Sequence, residues 1–263
     1  MPDPSAALTY SSYLALDQIL DAQRPRSGEH DEMLFIIVHQ VYELWFKETI
    51  HELEFLQGRL EVGDTAHALA TLKRVLTILK TVVAQIDVLE TMTPRQFTSF
   101  RSRLEAASGF QSVQFRVIEV ILGRRDESAR SPYPEESPAR ERIQEAMARP
   151  ALFDSLLRYL VAQGYEMPRE ALERDVRTRR DPSPAVQQVL LRVYRDDNQA
   201  AQVCERFVDL DEGMQEWRYR HMKMVERTIG AKPGTGGSAG APYLRTTLLH
   251  AAFPDLWAIR CDL

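Results

Sequence analysis

From Gly28 to Gly58 the chain carries no glycine or proline, and this one uninterrupted stretch limits what the rest can fold into. Residues 30–56, HDEMLFIIVHQVYELWFKETIHELEFL, predict a single helix of nearly thirty residues, roughly 40 Å long. Asp31 and Glu32 suit its positive N-terminal end. Its first half is apolar nearly all round, through Met33, Leu34, Phe35, Ile36, Ile37, Val38, Val41, Tyr42, Leu44, Trp45 and Phe46, which predicts a helix enclosed by other helices. His39 stands in that wall, with Phe35 at i−4, Tyr42 at i+3 and Phe46 at i+7. A buried imidazole needs a partner. A backbone carbonyl or Glu43 would make it an ordinary core histidine, and a ligand would make it functional.

At 263 residues the chain is long enough for one large domain or two small ones. A net charge of −5 argues against a nucleic-acid or anionic-membrane partner. The N-terminal MPDPSAALTYSS has neither the basic nor the apolar region of a secretory signal. The longest apolar run, Met33 to Val38, is too short to span a bilayer. The two cysteines, Cys204 and Cys261, form no CxxC or Cys/His cluster, which disfavours a disulfide framework and a structural zinc site and predicts a reducing cytoplasm.

Along the chain, residues 9–23 read as a short amphipathic helix with Tyr13, Leu16 and Leu20 on one face, Leu14 beside them, and two tyrosines, Tyr10 and Tyr13. So little core of its own predicts that it docks on something else, such as a neighbouring subunit. Asp64 is a cap for a second long helix with Leu69, Leu72, Leu76, Leu79, Val83 and Ile86 three and four apart. Thr93-Pro94 caps and starts the next helix, which sets Phe97 and Arg101 on one face. Residues 107–122 predict a Ser-Gly turn and another helix. The charged, Pro- and Ser-rich segment RRDESARSPYPEESPARER, 124–142, predicts an exposed loop, with helices near 138–148 and 151–163 that read as an insertion on the same bundle. From Pro184 to Ile229 one helix is expected, bent at Gly213. It carries His221 on an apolar face, with Arg218, Arg220, Lys223 and Arg227 around it. The glycine-rich AKPGTGGSAGAP and a last helix, YLRTTLLHAAFPDLWAIR, complete an all-α chain.

Three chemistries are open to these residues. GTGGSA matches a dinucleotide fingerprint by letters but follows a helix instead of a strand, leaving a loop that offers backbone N–H groups, Thr235 and Ser238 to a ligand. Glu48-x-x-His51 has half of a di-iron carboxylate motif, with only Asp64-x-x-His67 as a second half. The third is a haem: two imidazoles on apolar helix faces, aromatic walls, and cations for propionates. A helical bundle with no ligand stays open on these residues alone.

The blocks LTYSSYLALDQIL, HDEMLFIIVHQVYELWFK, FRSRLEAASGFQSVQFRVIE, WRYRHMKMVERTIG and GTGGSAG…YLR, in that order, resemble the tryptophan 2,3-dioxygenase family. The resemblance runs from about residue 8 to FPDLW and is weak only over 124–185. It implies one all-α helical-bundle domain over 1–263 enclosing haem b, ferrous when active. Within it, 1–23 would be an intersubunit segment, 124–183 an insertion and 230–242 a substrate-closing loop. The implied reaction is cleavage of the indole C2–C3 bond of L-tryptophan by dioxygen to N-formylkynurenine, the first step of the kynurenine pathway.

Residue by residue, the resemblance makes His221 the iron ligand, with Trp217, Ser108 and Gly109 beside the cofactor. It sets Phe35 and His39 on the distal side, with His39 as the catalytic residue that accepts the indole N–H. Arg101 and Thr235 would hold the amino-acid end of the substrate. Tyr10, Tyr13 and Leu14 would reach the pocket of a neighbouring subunit in a homotetramer with swapped N-terminal segments. Phe97 stands where some members have Tyr, which removes one hydrogen bond to the substrate carboxylate. A haem sensor without turnover shares the ligand and differs in lacking use for Arg101 and Thr235.

Overall fold

The computed structural model describes residues 7–237 and 239–263, so the Ser238 hydroxyl considered above lies outside the described residues. Among the described residues all regular structure is helical. Two short helices, α1 (Tyr10–Leu14) and α2 (Leu16–Leu20), precede α3 (His30–Glu61) and α4 (Thr65–Leu89). Then come α5 (Pro94–Arg101), α6 (Val113–Ile121), α7 (Pro138–Met147), α8 (Leu152–Ala162) and α9 (Arg169–Leu172). The chain closes with α10 (Pro184–Asp196), α11 (Gln199–Ile229), α12 (Ala241–Thr246) and α13 (Pro254–Ala258).

The bundle is organised on α3, α4 and α11. α4 packs against both of the others, and α6 and α8 cover further faces of α3. Leu56 and Leu60 of α3, Leu72 and Ile86 of α4, Leu152 and Leu156 of α8 and Phe207 of α11 are fully buried in one core. Each such side chain contributes about 1.5–3 kcal/mol relative to exposure, so the helix pairs are held mainly by this apolar packing. Tyr159 of α8 also belongs to that core, its hydroxyl within 2.8 Å of Thr65 at the start of α4. The expected caps are in place: Asp64 accepts the His67 N–H, and Thr93 forms a reciprocal capping box with Gln96 behind Pro94.

Several boundaries differ from the sequence reading, each for a local reason. α3 does not stop near Gly58 but runs to Glu61, because an internal glycine lowers helix propensity without breaking the hydrogen-bond ladder. The N-terminal helix is two, divided at Ala15, whose φ of +50° is left-handed. The 184–229 helix is also two. The break falls at Asp197, with φ of +44°, and Asn198 then caps α11 by accepting the Ala200 N–H. Asp and Asn tolerate this turn through their short polar side chains. Gly213 sits inside α11 for a different reason: a Cβ there would lie 2.7 Å from Leu79 Cδ2 of α4, so the glycine permits a close helix contact. The last helix divides into α12 and α13, with Pro254 at the start of the second.

Two expectations about surfaces also change. The 124–137 segment is not simply exposed: Arg125, Ala129 and Tyr133 are buried, and Arg125 donates to the carbonyls of Val120, Arg149 and Val176. The first half of α3 is not enclosed within this chain, since Met33, Ile37 and Leu44 are 41%, 43% and 52% exposed along one stripe. In the first turn of α3, Glu32 is buried and accepts the Arg26 N–H at 2.8 Å, the Ser27 N–H at 2.7 Å and the Ser27 hydroxyl at 2.5 Å. That carboxylate ties down the backbone at Arg26 and Ser27, and Gln40 of α3 holds the chain just ahead of it by donating to the Ala22 carbonyl and accepting from the Gln23 side chain.

Candidate functional site

A cavity of about 270 Å³ opens between α3, α5, α6, α11 and the glycine-rich loop, and both singled-out histidines line it. His39 is presented by the partly open half of α3. Its Nδ1 lies 2.7 Å from the Phe35 carbonyl oxygen, one turn back. A carbonyl only accepts, so the proton sits on Nδ1 and Nε2 keeps its lone pair free. Burial pushes the imidazole below its ordinary pKa, against smaller opposing effects from that hydrogen bond and from Glu43. His39 is therefore a neutral acceptor. The Phe35 ring holds it from one side at a centroid distance of 4.1 Å, and Tyr42 packs edge-on at 6.5 Å.

His221 comes from the C-terminal third of α11. Burial pushes it down to about 4, and the nearness of His39 adds to the shift, so the two imidazoles share one desolvated space. Its ring stacks on Trp217, one turn earlier. No hydrogen bond to the His221 ring occurs among the described residues, and the Trp217 indole N–H is buried without a partner. A neutral imidazole free of protein partners is the form that binds a metal.

Arg101 ends α5, one turn after Phe97. Its Nη2 donates to the Pro233 carbonyl of the glycine-rich loop at 2.6 Å, while its Nε is buried with no partner. Phe97 is buried against Phe35 and Phe100, with centroids 5.7 and 5.5 Å away, so this position offers the cavity an apolar ring and no hydroxyl. Thr235 donates its hydroxyl to the Ala107 carbonyl at 2.6 Å, which seats the loop on the 102–112 segment. There Gly236 lies so close to Ser108 that a Cβ would be 2.6 Å from the serine Cβ. Gly240, with φ of +67°, has the Lys232 carbonyl 2.7 Å from the same position. The GTGGSAG spacing thus reflects close backbone approach over Ser108 and Gly109, which both line the cavity.

Of the four basic residues around His221, only Arg218 reaches the cavity. Arg220 pairs with Asp87 and Glu90, Lys223 with Glu226, and Arg227 with Glu90. Two further cavity cations, Arg116 and Arg124, went unassigned in the sequence. Arg116 and Arg124 both pair with Glu119, and Arg218 lies 3.6 Å from the same carboxylate. The signal was present in VQFRVIEVI: Arg116 and Glu119 are two charges at i,i+3 inside an apolar run, an expensive placement unless paired or functional. Tyr10, Tyr13 and Leu14 do not line this chain's cavity, and the two tyrosines are 76% and 72% exposed.

The lining fits the group expected there. An unpartnered neutral imidazole, aromatic and aliphatic walls and arginines at one end match the iron, macrocycle and propionates of a haem. The di-iron alternative finds no support, because His51 is exposed and, among the described residues, no three His, Cys, Asp or Glu side chains converge as metal ligands.

Comparison with known proteins gives the same direction. A family model described as tryptophan 2,3-dioxygenase matches residues 2–165 and 170–263. The chain is 72% identical over 263 residues to a protein of that name from Anaeromyxobacter sp. (strain K), covering 99% of each. It is 55% identical to one from Herpetosiphon aurantiacus, covering 98% of this chain and 100% of the relative. One from Caulobacter vibrioides is 42% identical, with 97% and 98% covered.

Proposed function

The chain belongs to the tryptophan 2,3-dioxygenase family, and on that premise we propose how its cavity carries out the reaction. The protein is an oxidoreductase that cleaves the indole ring of tryptophan with dioxygen, the first step of the kynurenine pathway. Both oxygen atoms enter the product, N-formylkynurenine, so no external electrons are required. The observation that carries the residue assignment is the sharing of one cavity by two neutral imidazoles and the orphan Nε of Arg101.

His221 would hold a haem through a ring nitrogen, with Trp217 flat against the imidazole and Ser108 and Gly109 beside the group. Arg116, Arg124 and Arg218 would meet its propionates. When bound, the haem iron supplies the centre at which dioxygen is activated. The protein does the rest. His39 Nε2 accepts the indole N–H and sets the ring's orientation. With a reference pKa of about 6.5 it polarises that N–H lightly and does not remove the proton. Phe35 and Phe97 confine the ring and exclude water.

Arg101 binds the substrate carboxylate through its free Nε, a charge-assisted bond that leaves the Pro233 contact in place. Thr235 donates to Ala107, so its oxygen lone pairs are available to the substrate ammonium. The loop at 230–242 closes the site over the bound amino acid. The N-terminal segment, 1–23, docks on a neighbouring subunit of a homotetramer, with Tyr10, Tyr13 and Leu14 at that subunit's pocket. The exposed tyrosines and the apolar stripe of Met33, Ile37 and Leu44 support this assembly. Two free cysteines fit a cytoplasmic setting, and among the described residues no helix is long and apolar enough to cross a membrane.

The test is an absorption spectrum of the haem-reconstituted, reduced protein before and after L-tryptophan and then air. A Soret band shifted by tryptophan, followed by N-formylkynurenine, is expected. A Soret band with no product would favour a haem sensor, and no Soret band would return both histidines to the core.

A further inference from the structure

We propose that Tyr42 and Gln85 act as a pair of positioning residues that set the register of α3 against α4 and thereby place the acceptor nitrogen of His39. The Tyr42 hydroxyl, on α3, donates to the Val82 carbonyl of α4 at 3.1 Å. In the opposite direction the Gln85 side-chain amide, on α4, donates to the Val38 carbonyl of α3 at 2.9 Å. The two anchor points on each helix are one turn apart, so the bonds close a rectangle between the helices. His39 lies inside that turn, next to Val38 and three residues before Tyr42.

Three features make the pair more than ordinary helix packing. First, both acceptors are helix carbonyls already inside the backbone ladder, so each bond uses a second lone pair and fixes the backbone itself, not a side chain that can swing away. Second, Val38 is buried while Ile37 and Leu44 are exposed, and the other helix bonded to this part of α3, α6 through Gln114 to the Glu43 carbonyl at 2.7 Å, leaves the register against α4 to Tyr42 and Gln85. Apolar packing on one face resists separation of two helices better than it resists sliding, whereas a directional hydrogen bond resists sliding. Third, the His39 ring has no rotational freedom of its own, since Nδ1 is bonded to the Phe35 carbonyl and the ring is pressed by Phe35. Any displacement of the α3 backbone therefore reaches Nε2 undiminished. Tyr42 adds a direct contact, its ring lying edge-on to the imidazole.

The inference rests on His39 receiving the indole N–H, so its test compares L-tryptophan with 3-(benzothiophen-3-yl)-L-alanine, which keeps the ring shape and lacks the N–H. Affinities of the haem-reconstituted protein for both are measured spectroscopically in Tyr42→Phe, Gln85→Met, the double variant and His39→Ala. Tyr42→Phe removes only a hydroxyl, and Gln85→Met keeps length while removing the donor. The expected result is that each single variant narrows the preference for tryptophan about threefold and the double about tenfold, while affinity for the sulfur analogue changes less than twofold. A preference equal to wild type in both single variants would overturn the proposal, as would a parallel loss for both ligands, which marks a purely structural role. If His39→Ala itself leaves the preference unchanged, the assignment of His39 fails and the proposal falls with it. Loss of preference in His39→Ala but not in the other variants separates the two cases.

Discussion

The imidazole of His221 lies flat against the indole of Trp217, with ring centroids 5.0 Å apart and planes 15° from parallel. Spaced one turn apart on α11, the two rings form a rigid unit, and Trp217 is itself wedged by Phe115 at 4.6 Å. His221→Ala is expected to abolish stably bound haem, read as loss of the Soret band after gel filtration. Trp217→Ala should lower stability by about 3–5 kcal/mol in denaturant unfolding, the usual cost of emptying a buried aromatic site. Full haem retention with normal turnover in His221→Ala would reject the ligand assignment.

His39→Ala should retain haem and lose only part of kcat, because the imidazole orients the substrate without deprotonating it. Complete inactivity with haem and tryptophan both bound would defeat that role.

The two histidines also set a pH dependence for the haem-free protein. Both are held below their ordinary pKa by burial, His221 at about 4. The unfolded chain then binds more protons than the native one below about pH 6.5, so stability falls as the pH falls. For His221 the loss should build between about pH 6.5 and 4 and reach about 3 kcal/mol. Denaturant midpoints across that range test it against His221→Phe, in which much of the dependence should vanish.

Arg101→Ala should weaken tryptophan binding by about 1.5–3 kcal/mol, or roughly 10- to 150-fold in KM. Arg101→Lys should recover only part, since a single ammonium cannot bond the Pro233 carbonyl and a carboxylate with the same fork. An unchanged KM in Arg101→Ala would show that the carboxylate sits elsewhere.

Gly236→Ala puts a methyl against Ser108 and should unseat the loop, raising KM at least about tenfold while the melting temperature changes little. Combining it with Ser108→Gly removes the opposing Cβ and should restore most of the affinity. Failure of that rescue would mean that loop seating does not control substrate binding.

The helical class was readable because long glycine-free stretches and three-four spacing record burial directly, and His39 and His221 stood out as imidazoles among apolar neighbours. What escaped the sequence depends on partners far along the chain. Gly213 reads as a bend until Leu79 of α4 is placed beside it. The turn at Asp197 and Asn198 carries no glycine or proline, and its two polar residues look like any solvated helix surface. The basic residues around His221 looked equivalent in one dimension, yet only Arg218, three residues before it, shares its face toward the cavity. The stripe of Met33, Ile37 and Leu44 signals burial, but a single chain cannot tell which surface provides it.

The tie at Glu32 has a consequence for how the enzyme behaves on dilution. Because that carboxylate grips the backbone of Arg26 and Ser27, and Gln40 the chain at Ala22 and Gln23, the arm ahead of them starts from one fixed place, like a rope made fast to a cleat. In the proposed homotetramer an arm so moored would deliver Tyr10 and Tyr13 to a neighbour only while the neighbour is there, making each pocket common property of two chains. Turnover per subunit would then be governed by mass action, and a site intact in every residue of its own should go quiet once its neighbours drift apart.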